Sequence, residues 1–439
     1  MSGTALALVG FLAMLALIAV RMHIGLAMLV TGAIGYIHLN SFNALIGYMK
    51  VNAFQQFANY TLSVIPLFIL MGAFAERSGL STALFRAASS FVGHLRGGLA
   101  MALIFACTGF GAICGSSVAT TATFGRATMP EFDRYKYDGG FSTGTIAVGG
   151  TLGILIPPSV ILVIYAISTE QNIAKLFMAA FIPGLMAALF YLVTIAIVVR
   201  INPKLAPVQP SVPWSERLRL LTAVWPVMLV AFIVVGGIYG GVFTPTEGAA
   251  VGATSMLLVG LAQRSLNWNT IVASLRQTAE TTGMIFIILL GSEVFNAFLT
   301  LTQLPTNAAA AITAWGLSPY VVLVALLAFY ILLGAVMDEL AMLLLTLPVF
   351  FPIIQGLDFG FPADDVAIWF GILVLIVVGI GLTAPPIGLN VFVISAIARH
   401  HPIKRTYAGV LPYIVADLIR LVLLLIFPAL ALSMVHWLT

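Results

Sequence analysis

Hydrophobic residues run along this chain in stretches that are long and free of charge. Residues 176–199, 221–243, 300–337 and 366–398 contain no Asp, Glu, Lys or Arg. A helix needs roughly 20 apolar residues to cross the hydrocarbon core of a bilayer. Each stretch is long enough to cross, and the whole pattern predicts about a dozen hydrophobic segments, not all of them complete crossings. The chain is therefore predicted to be an all-α polytopic membrane protein.

A polar interruption divides the chain into two hydrophobic halves, which we take as residues 1–201 and 221–439. The linker at 202–220 is rich in prolines, which oppose a continuous helix: Pro203, Pro207, Pro210 and Pro213. Basic residues cluster in and beside it: Arg200, Lys204, Arg217 and Arg219. Positive residues in short loops favour the cytoplasm, so the linker is predicted to be cytoplasmic. Two mixed stretches, 76–96 and 266–280, are predicted to lie along the membrane surface.

Composition agrees with this picture and excludes several functions. The 439 residues are 61% hydrophobic and 8% charged, whereas soluble domains average about 25% charged residues. The net charge of +4 comes from residues between apolar runs and does not indicate nucleic-acid binding. The sequence has neither a G-x-x-x-x-G-K-[ST] phosphate loop nor an H-E-x-x-H zinc motif. The histidines show no ligand-like spacing, and the adjacent pair His400-His401 is expected at the surface.

Two proline pairs mark an internal repeat. Residues 153–158 read GILIPP and residues 381–386 read GLTAPP, at an offset of 228. Upstream, 116–130 and 338–352 both end in proline, at an offset of 222. Two halves built to one plan are typical of secondary transporters, whose broken helices hold substrate and ions near the membrane midplane.

A proline pair breaks a helix because proline has no N–H and its ring clashes with the preceding turn. Lipid cannot satisfy the freed carbonyls, so such a break survives only beside protein or a water-filled cavity. Unwound carbonyls suit a hard cation such as sodium, and the positive N-terminus of the next half-helix favours an anion. A kinked structural helix is the alternative for either pair alone. The matched pairs together favour an ion-coupled secondary transporter.

Polar residues upstream of each pair add candidate chemistry. The sequence GAICGSS at 111–117 interrupts an apolar run and predicts a re-entrant hairpin tip, although small residues also serve ordinary helix packing. Asp338 and Glu339 follow a second apolar run, where a carboxylate is costly unless it faces a cavity or a partner. The alternative is that both are solvated at the membrane interface, and this alternative weighs more for Glu339.

Other charged residues are given structural roles. Glu247 is predicted to cap a helix that begins at Pro245. Asp417 and Arg420, three residues apart, are predicted to form an ion pair on one helical face. Glu293 is expected to pair with a neighbour that the sequence does not identify.

Several motifs follow one another in a specific order. They are IPLFILMG at 65–72, GHLRGGLA at 93–100, the GAICGSS tip, TPTE at 244–247 and the two Pro-Pro segments. Over nearly the whole chain, this series resembles the large membrane subunit of tripartite ATP-independent periplasmic (TRAP) transporters. The resemblance implies an inverted-repeat, elevator-type transporter. It would have two re-entrant hairpins, at about 108–130 and 331–354, and two broken helices, at about 140–170 and 366–398.

The resemblance also implies a function and partners. The family imports small organic acids, often C4-dicarboxylates or sialic acid, with sodium ions as the coupling ions and no other cofactor. The expected partners are a periplasmic substrate-binding protein and a small four-helix membrane subunit, here a separate polypeptide, in the inner membrane of a bacterial cell. A stand-alone sodium-coupled carrier for divalent anions, without a binding protein, is the alternative.

Carried onto this sequence, the resemblance implies two sodium sites and a substrate site. The first sodium site would use the first tip and the first break: Gly111, Cys114, Gly153, Ile156 and Pro158. The second would use the second tip and the second break: Asp338, Gly381, Thr383 and Pro386. The substrate would lie between Ser116, Ser117 and Asn390. Cys114 stands where the family usually carries serine, and a thiol is a poor sodium ligand, so only its carbonyl is expected to contribute.

Overall fold

The computed structural model describes residues 2–314 and 316–438, and of residues 309 and 311–314 only the backbone. Within these ranges all regular structure is helical, with twenty α-helices and two short 3₁₀ turns. The first half holds α1 Gly3–Ala19, α2 Ile24–Leu39, α3 Phe42–Phe57, α4 Val64–Arg77, α5 Leu80–Val92, α6 Gly98–Cys114, α7 Ser117–Arg134, α8 Gly139–Leu155, α9 Val160–Ser168 and α10 Ile173–Ile201. The second half holds α11 Trp214–Tyr239, α12 Pro245–Ala262, α13 Trp268–Leu301, α14 Leu304–Ala314, α15 Pro319–Gly334, α16 Glu339–Gln355, α17 Ala363–Gly381, α18 Leu389–Ile397, α19 Ile403–Ile426 and α20 Ala429–Leu438.

Many of these helices are long and apolar enough to cross a membrane. Six described spans qualify alone: Tyr60–Arg77, α10, α11, α13, α17 and α19. The pair α8 and α9, bent by 46°, qualifies as one further unit. Six shorter apolar helices accompany them: α1, α2, α6, α15, α16 and α20. The prediction of an all-α, multi-pass membrane protein is confirmed.

Local sequence signals fix where helices begin, and α12 shows how. The N–H of Glu247 donates to Thr244 Oγ1 at 3.3 Å, and the N–H of Thr244 donates to Glu247 Oε2 at 2.8 Å. This capping box satisfies two amide groups that would otherwise lack partners at the start of the helix. The Thr244 amide and hydroxyl both donate to the exposed carboxylate and hold the pKa of Glu247 below its ordinary value. The predicted capping role of Glu247 is confirmed.

Helices are interrupted within each of the four segments predicted as hairpins or broken helices, and the bounds of the helices differ from those predicted. α6 and α7 meet at a tip at 115–116, and this pair extends over 98–134 rather than 108–130. The bend between α8 and α9 occupies 156–159. α15 and α16 meet at a second tip at 335–338, and α17 and α18 are separated by 382–388.

Two other boundaries differ from the prediction. α11 begins at Trp214, inside the segment predicted as linker, directly after Pro213, the last of the four linker prolines. The stretch 266–280 is not a separate surface helix. It forms the first part of α13, which runs unbroken to Leu301 because no proline interrupts it.

The two halves interlock at their broken helices. α9 packs against α16 of the second hairpin, and α18 packs against α7 of the first hairpin. α10 contacts α17, and α19 contacts α8. The α9–α16 contact thus corresponds to the α18–α7 contact with the two halves exchanged, and the α10–α17 contact corresponds to the α19–α8 contact. α8 and α17 also contact each other. Both hairpins and both breaks therefore meet in one central region.

A second group of helices, α2, α4, α12 and α13, flanks this region. α2 packs along α13, and α4 packs against both α12 and α13. A methyl group added at Gly32 of α2 would lie 2.7 Å from the Phe295 Cα, so α2 and α13 approach backbone to backbone. α13 in turn contacts α16 of the second hairpin.

The predicted ion pair between Asp417 and Arg420 is confirmed. Arg420 Nη2 lies 2.7 Å from Asp417 Oδ1, and both side chains are buried. The Tyr191 hydroxyl donates to Asp417 Oδ2 at 2.8 Å, and Arg420 Nη1 donates to the Pro183 carbonyl at 3.2 Å. These bonds join α19 to α10 beside the broken helices.

Candidate functional site

Both helix breaks have the same backbone form. The Pro157–Pro158 and Pro385–Pro386 peptide bonds are both cis. In an α-helix the carbonyls of Gly153 and Ile154 would accept from residues 157 and 158. Both of those residues are prolines without an N–H, so the two carbonyl oxygens lose their helical donors. They are therefore available to another group.

The first hairpin tip rests on the first break. A methyl group added at Gly111 would lie 2.7 Å from the Leu152 carbonyl oxygen, and one added at Gly115 would lie 3.1 Å from that of Pro158. Gly115 also has a φ of +65°, which favours glycine. Glycine at these positions lets the tip approach the break at backbone distance.

Ser116 extends the same junction. Its carbonyl accepts the Thr120 hydroxyl at 2.7 Å and lies 2.6 Å from a methyl group added at Gly153. Cys114 Sγ lies 3.9 Å from this carbonyl, and Ile156 Cβ lies 3.3 Å from a methyl group added at Gly111. The five residues predicted for the first sodium site thus lie together where α6 meets α8 and α9.

The second tip meets the second break in a similar way. A methyl group added at Gly381 would lie 2.7 Å from the Gly334 Cα. The Ala335 carbonyl accepts from the Ile387 N–H at 3.1 Å and from the Gly388 N–H at 3.2 Å. The tip is therefore fastened to the unwound segment by backbone hydrogen bonds.

Three residues predicted for the second sodium site bond to their own surroundings. Asp338 is half-buried and caps α16, and its Oδ1 accepts from the Leu340 N–H at 3.2 Å. The Thr383 hydroxyl donates to the carbonyl of Ile380 at 3.0 Å. The Pro386 carbonyl accepts from the hydroxyl of Tyr407 at 2.9 Å. Gly381, in contrast, lies against the second hairpin at backbone distance.

Two of the three predicted substrate residues contact each other. Asn390 Nδ2 donates to Ser117 Oγ at 2.7 Å and to the Ala147 carbonyl at 3.0 Å. Asn390 and Ser117 are both fully buried, and Asn390 Oδ1 has no hydrogen-bond partner among the described residues. Ser116 instead caps α7 by accepting from the Ala119 N–H at 3.4 Å.

A cavity of about 120 Å³ lies where the two tips meet α13. Its wall includes the first tip at 114–116, the start of α9 at 160–161 and the start of α16 at 339–340. Gln277 and Thr281 of α13 also line it. The cavity thus gathers elements of both halves around one small volume.

Glu339, and not Asp338, is the carboxylate that lines this cavity. Glu339 is only 6% exposed, and its Oε2 has no hydrogen-bond partner among the residues described. The expectation that Glu339 is the more solvated of the two is therefore wrong. Asp338 remains at the N-cap position, whereas the first turn of α16 carries Glu339 into the interior.

A charged cluster beside the cavity joins the first hairpin to α4 and α13. Arg126 of α7 forms an ion pair with Glu76 at 2.9 Å. Arg77 donates to Gln277 Oε1 at 2.6 Å and to Ser274 Oγ at 3.1 Å. Gln277 Nε2 lies 3.5 Å from Glu76 Oε2, so the cluster reaches the cavity wall.

Sequence reasoning missed several of these residues. Gln277 and Thr281 are four residues apart and therefore lie on one face of α13, in its polar first part. This spacing of two polar residues was the signal in the sequence that could have identified them. The Tyr48 hydroxyl donates to Glu293 Oε1 at 2.6 Å. Tyr48 is therefore the partner of Glu293 that the sequence did not identify. Glu293 lines a separate cavity of about 330 Å³.

The histidine pair also has a partner that no local pattern indicated. His400 Nε2 and His401 Nε2 lie 3.1 and 3.3 Å from the two carboxylate oxygens of Asp133. The atoms of these three residues that could bind a metal ion lie within 4.8 Å of one another. The spacing of the histidines along the sequence did not indicate this grouping. The cluster ties the end of α7 to the loop before α19. His400 is exposed, as expected.

Comparison with known proteins gives a family for this arrangement. Residues 11–430 match the family described as "Tripartite ATP-independent periplasmic transporter, DctM component". The chain is 37% identical over 392 residues to the C4-dicarboxylate TRAP transporter large permease protein of Pseudomonas aeruginosa, covering 89% of this chain and 90% of the relative. It is 31% identical over 376 residues to the ectoine TRAP transporter large permease protein of Halomonas elongata, covering 85% of each.

The fold is similar to that of a solved transporter as well. The crystal structure of the YdaH transporter of Alcanivorax borkumensis superposes with a TM-score of 0.65 over 89% of this chain and 90% of that one, at 15% identity. At this identity the likeness concerns the fold alone. The family match, in contrast, spans nearly the whole chain, and the relatives are named as transporter permeases. The chain therefore belongs to the DctM-component family of tripartite ATP-independent periplasmic transporters, and it is a multi-pass transport protein rather than an enzyme.

Proposed function

We propose that this chain is the large transmembrane subunit of a sodium-coupled symporter that imports a small organic anion. The observation that carries the proposal is the pair of carbonyls, Gly153 and Ile154, whose helical donors are replaced by prolines beneath the first hairpin tip. Sodium is a hard cation that prefers oxygen ligands, and carbonyls in a break shielded from lipid can supply them.

The proposed ion sites follow the two breaks. The first ion would be held at the junction of Gly111, Cys114, Gly153, Ile156 and Pro158, with Cys114 contributing its carbonyl. The second would be held by Asp338, Gly381, Thr383 and Pro386. The second set has more of its oxygens engaged, since Pro386 accepts from Tyr407 and Asp338 caps α16. Sodium binding at the second site would therefore have to replace some of these hydrogen bonds.

The proposed substrate position is the region of Ser116, Ser117 and Asn390. Ser116 caps α7 and Asn390 is the second residue of α18, so each is at the N-terminal end of a helix. Helix N-termini favour anions because their amide groups and the helix dipole point at the ligand. At about 120 Å³ the adjoining cavity is smaller than the roughly 300–1,000 Å³ of drug-sized sites, which suits a small acid.

The partners and the motion are also part of the proposal. A periplasmic binding protein would deliver the substrate, and a small four-helix subunit would accompany this chain in the bacterial inner membrane. The word "tripartite" in the family description supports three components. α6–α9 and α15–α18 would move as an elevator against α2, α4, α12 and α13. Polar contacts such as Arg126–Glu76, which can be exchanged with water, lie between the two groups.

Uptake into proteoliposomes that contain both membrane subunits, with the binding protein outside, tests the coupling. Radiolabelled substrate should accumulate when sodium is high outside and low inside. Accumulation should stop when sodium is equal on both sides or is replaced by potassium. Undiminished accumulation without the sodium gradient would overturn the proposed coupling.

A stand-alone carrier for divalent anions remains the second candidate. The same proteoliposomes without the binding protein separate the two. Uptake that is unchanged by omitting the binding protein would favour the stand-alone carrier.

A further inference from the structure

Three residues from distant parts of the chain place potential metal-binding atoms together. His400 Nε2 lies 3.1 Å from Asp133 Oδ2, and His401 Nε2 lies 3.3 Å from Asp133 Oδ1. The potential ligand atoms of the three residues all lie within 4.8 Å of one another. None of these residues belongs to the proposed sodium sites or to the proposed substrate site. The function proposed above therefore gives this cluster no role.

The local backbone turns both imidazole rings toward the carboxylate. The N–H of His401 donates to the Ala398 carbonyl at 2.9 Å, which closes a turn directly after α18. The rings of His400 and His401 lie side by side, with their centroids 4.1 Å apart. Gly139, the first residue of α8, makes room for His401, because a methyl group added there would overlap the imidazole. The ring of His401 is thus packed against α8, and only 18% of its side chain is exposed.

The carboxylate of Asp133 is available to a metal ion. Its neighbour Arg134 pairs with Glu131 at 3.7 Å. Among the described residues, no Lys or Arg forms an ion pair with Asp133 itself. The side chains of Asp133 and His400 are 40% and 58% exposed, so an ion can reach them from solvent.

The separations between nitrogen and oxygen in the cluster fit metal coordination. Tetrahedral Zn²⁺ holds nitrogen and oxygen ligands at about 2.0–2.1 Å, which places neighbouring ligand atoms about 3.3 Å apart. The observed separations of 3.1 and 3.3 Å agree with this spacing. Two imidazoles and a carboxylate suit Zn²⁺, whereas Mg²⁺ and Ca²⁺ prefer oxygen ligands. A water molecule from the exposed side can supply the fourth ligand.

We propose that Asp133, His400 and His401 form a binding site for a divalent transition-metal ion, of which Zn²⁺ fits best. The site joins the end of α7, in the first hairpin, to the loop between α18 and α19 in the second half. Shortly after Asp133, the N–H of Asp138 donates to the Leu205 carbonyl at 2.9 Å, so the site lies on the side of the polar linker. A bound ion would fasten the two halves together there.

Titration of the purified full-length chain in nanodiscs with Zn²⁺ tests the proposal. The affinity tag is removed, and bound metal is stripped with a chelator before calorimetry at pH 7. The wild-type protein should bind Zn²⁺ through this site, and Mg²⁺ should bind roughly tenfold more weakly or less, because imidazole suits Zn²⁺ and not Mg²⁺. Saturating Zn²⁺ should also raise the melting temperature, since an ion that binds only the folded state stabilises it.

Asp133→Asn and His400→Ala each remove one ligand from a partly exposed position. Loss of a residue that merely orients a ligand commonly weakens metal binding roughly 10–100-fold, so loss of a ligand should weaken Zn²⁺ at least as much. The rise in melting temperature should be lost with it. His436→Ala is the matched control, because His436 Nε2 lies 3.0 Å from Asp365 Oδ2 in a pair without a third ligand among the described residues. This variant should keep the wild-type affinity for Zn²⁺.

Absence of measurable Zn²⁺ binding by the wild-type protein would overturn the proposal. Wild-type affinity in a folded Asp133→Asn protein, or equal affinities for Mg²⁺ and Zn²⁺, would overturn it as well. His400→Ala decides the question if Asp133→Asn does not fold, and an unchanged affinity there has the same meaning. The titration needs neither substrate nor a sodium gradient, so its outcome is independent of the proposed transport function.

Discussion

The side-chain amide of Asn390 donates to the hydroxyl of Ser117 at 2.7 Å, across 273 residues of sequence. Both residues are fully buried. The bond joins the second broken helix to the first hairpin and so links the two halves at the proposed substrate position. Its strength can be measured separately from transport.

Replacing both residues should show this link as a coupling energy. Asn390→Ala and Ser117→Ala should each destabilise the protein. The double variant should lose about 1 kcal/mol less than the sum of the two single losses, because a typical hydrogen bond contributes about that much. Chemical unfolding in detergent measures the free energies of unfolding of the wild-type protein and the three variants. Additive losses would show that the bond does not contribute. Thr222→Ala, which removes an exposed hydroxyl, is the control and should change the free energy of unfolding little.

Restoring a helical donor at the first break should weaken sodium binding. Pro157→Ala supplies an N–H that can reach the Gly153 carbonyl, so this oxygen would be engaged by the protein itself. We expect sodium affinity to fall roughly tenfold, which corresponds to about 1.4 kcal/mol. Pro226→Ala, inside α11 and away from the break, is the matched control. Equal sodium affinity in Pro157→Ala and the wild-type protein would argue against a role for this carbonyl.

Asp338→Asn should reduce sodium dependence more than it reduces folding. Asn caps helices about as well as Asp, so α16 should keep its start and the melting temperature should change little. The loss of negative charge should raise the sodium concentration needed for half-maximal uptake. Asp364→Asn, which removes an exposed acid from the start of α17, should do neither. A normal sodium response in Asp338→Asn would refute the proposed role of Asp338.

Breaking the buried ion pair should be the most destabilising of these changes. Asp417→Asn leaves the guanidinium of Arg420 buried without its counter-charge, which costs about 3–5 kcal/mol. Tyr191→Phe removes one hydrogen bond to Asp417 and should cost about 1 kcal/mol. Glu280→Gln, which breaks the exposed pair with Arg276, should cause no measurable change. Free energies of unfolding that rank in another order would contradict this assignment.

The capping box at α12 predicts a pH dependence of stability. The pKa of Glu247 is lowered in the folded protein, so its carboxylate stabilises the fold above the ordinary pKa of the group. This stabilisation is lost as the pH falls through the lowered, folded pKa. Glu247→Gln should therefore melt at a lower temperature than the wild-type protein at pH 7, and the difference should shrink toward acid. A difference that is constant across this range would exclude a role for the charge.

Features encoded within a few residues were predictable from the sequence, and features that depend on distant residues were not. The Pro-Pro breaks, the glycine-rich first tip, the cap at Glu247 and the ion pair at Asp417 all follow from local spacing. The placement of Glu339 did not, because adjacent residues on a helix point in different directions. The packing of α16 against the helices around it decides which of the two neighbouring carboxylates is buried.

The same limit explains the other misses. Asp133 meets His400 and His401 from 267 and 268 positions away, so no pattern within one segment could reveal the cluster. The start of α11 at Trp214 differs from the prediction because the basic residues Arg217 and Arg219 extend the predicted linker beyond its last proline, Pro213. Helix formation there depends on the residues after the last proline.

The exchange of contacts between the halves has a consequence for fragments of this protein. α9 rests on the second hairpin and α18 on the first, so neither half on its own can assemble a complete binding region. Two separately synthesised pieces, divided at 206–213, would have to find each other in the bilayer before either could work. An ancestral protein with a single repeat would have had to function as a dimer.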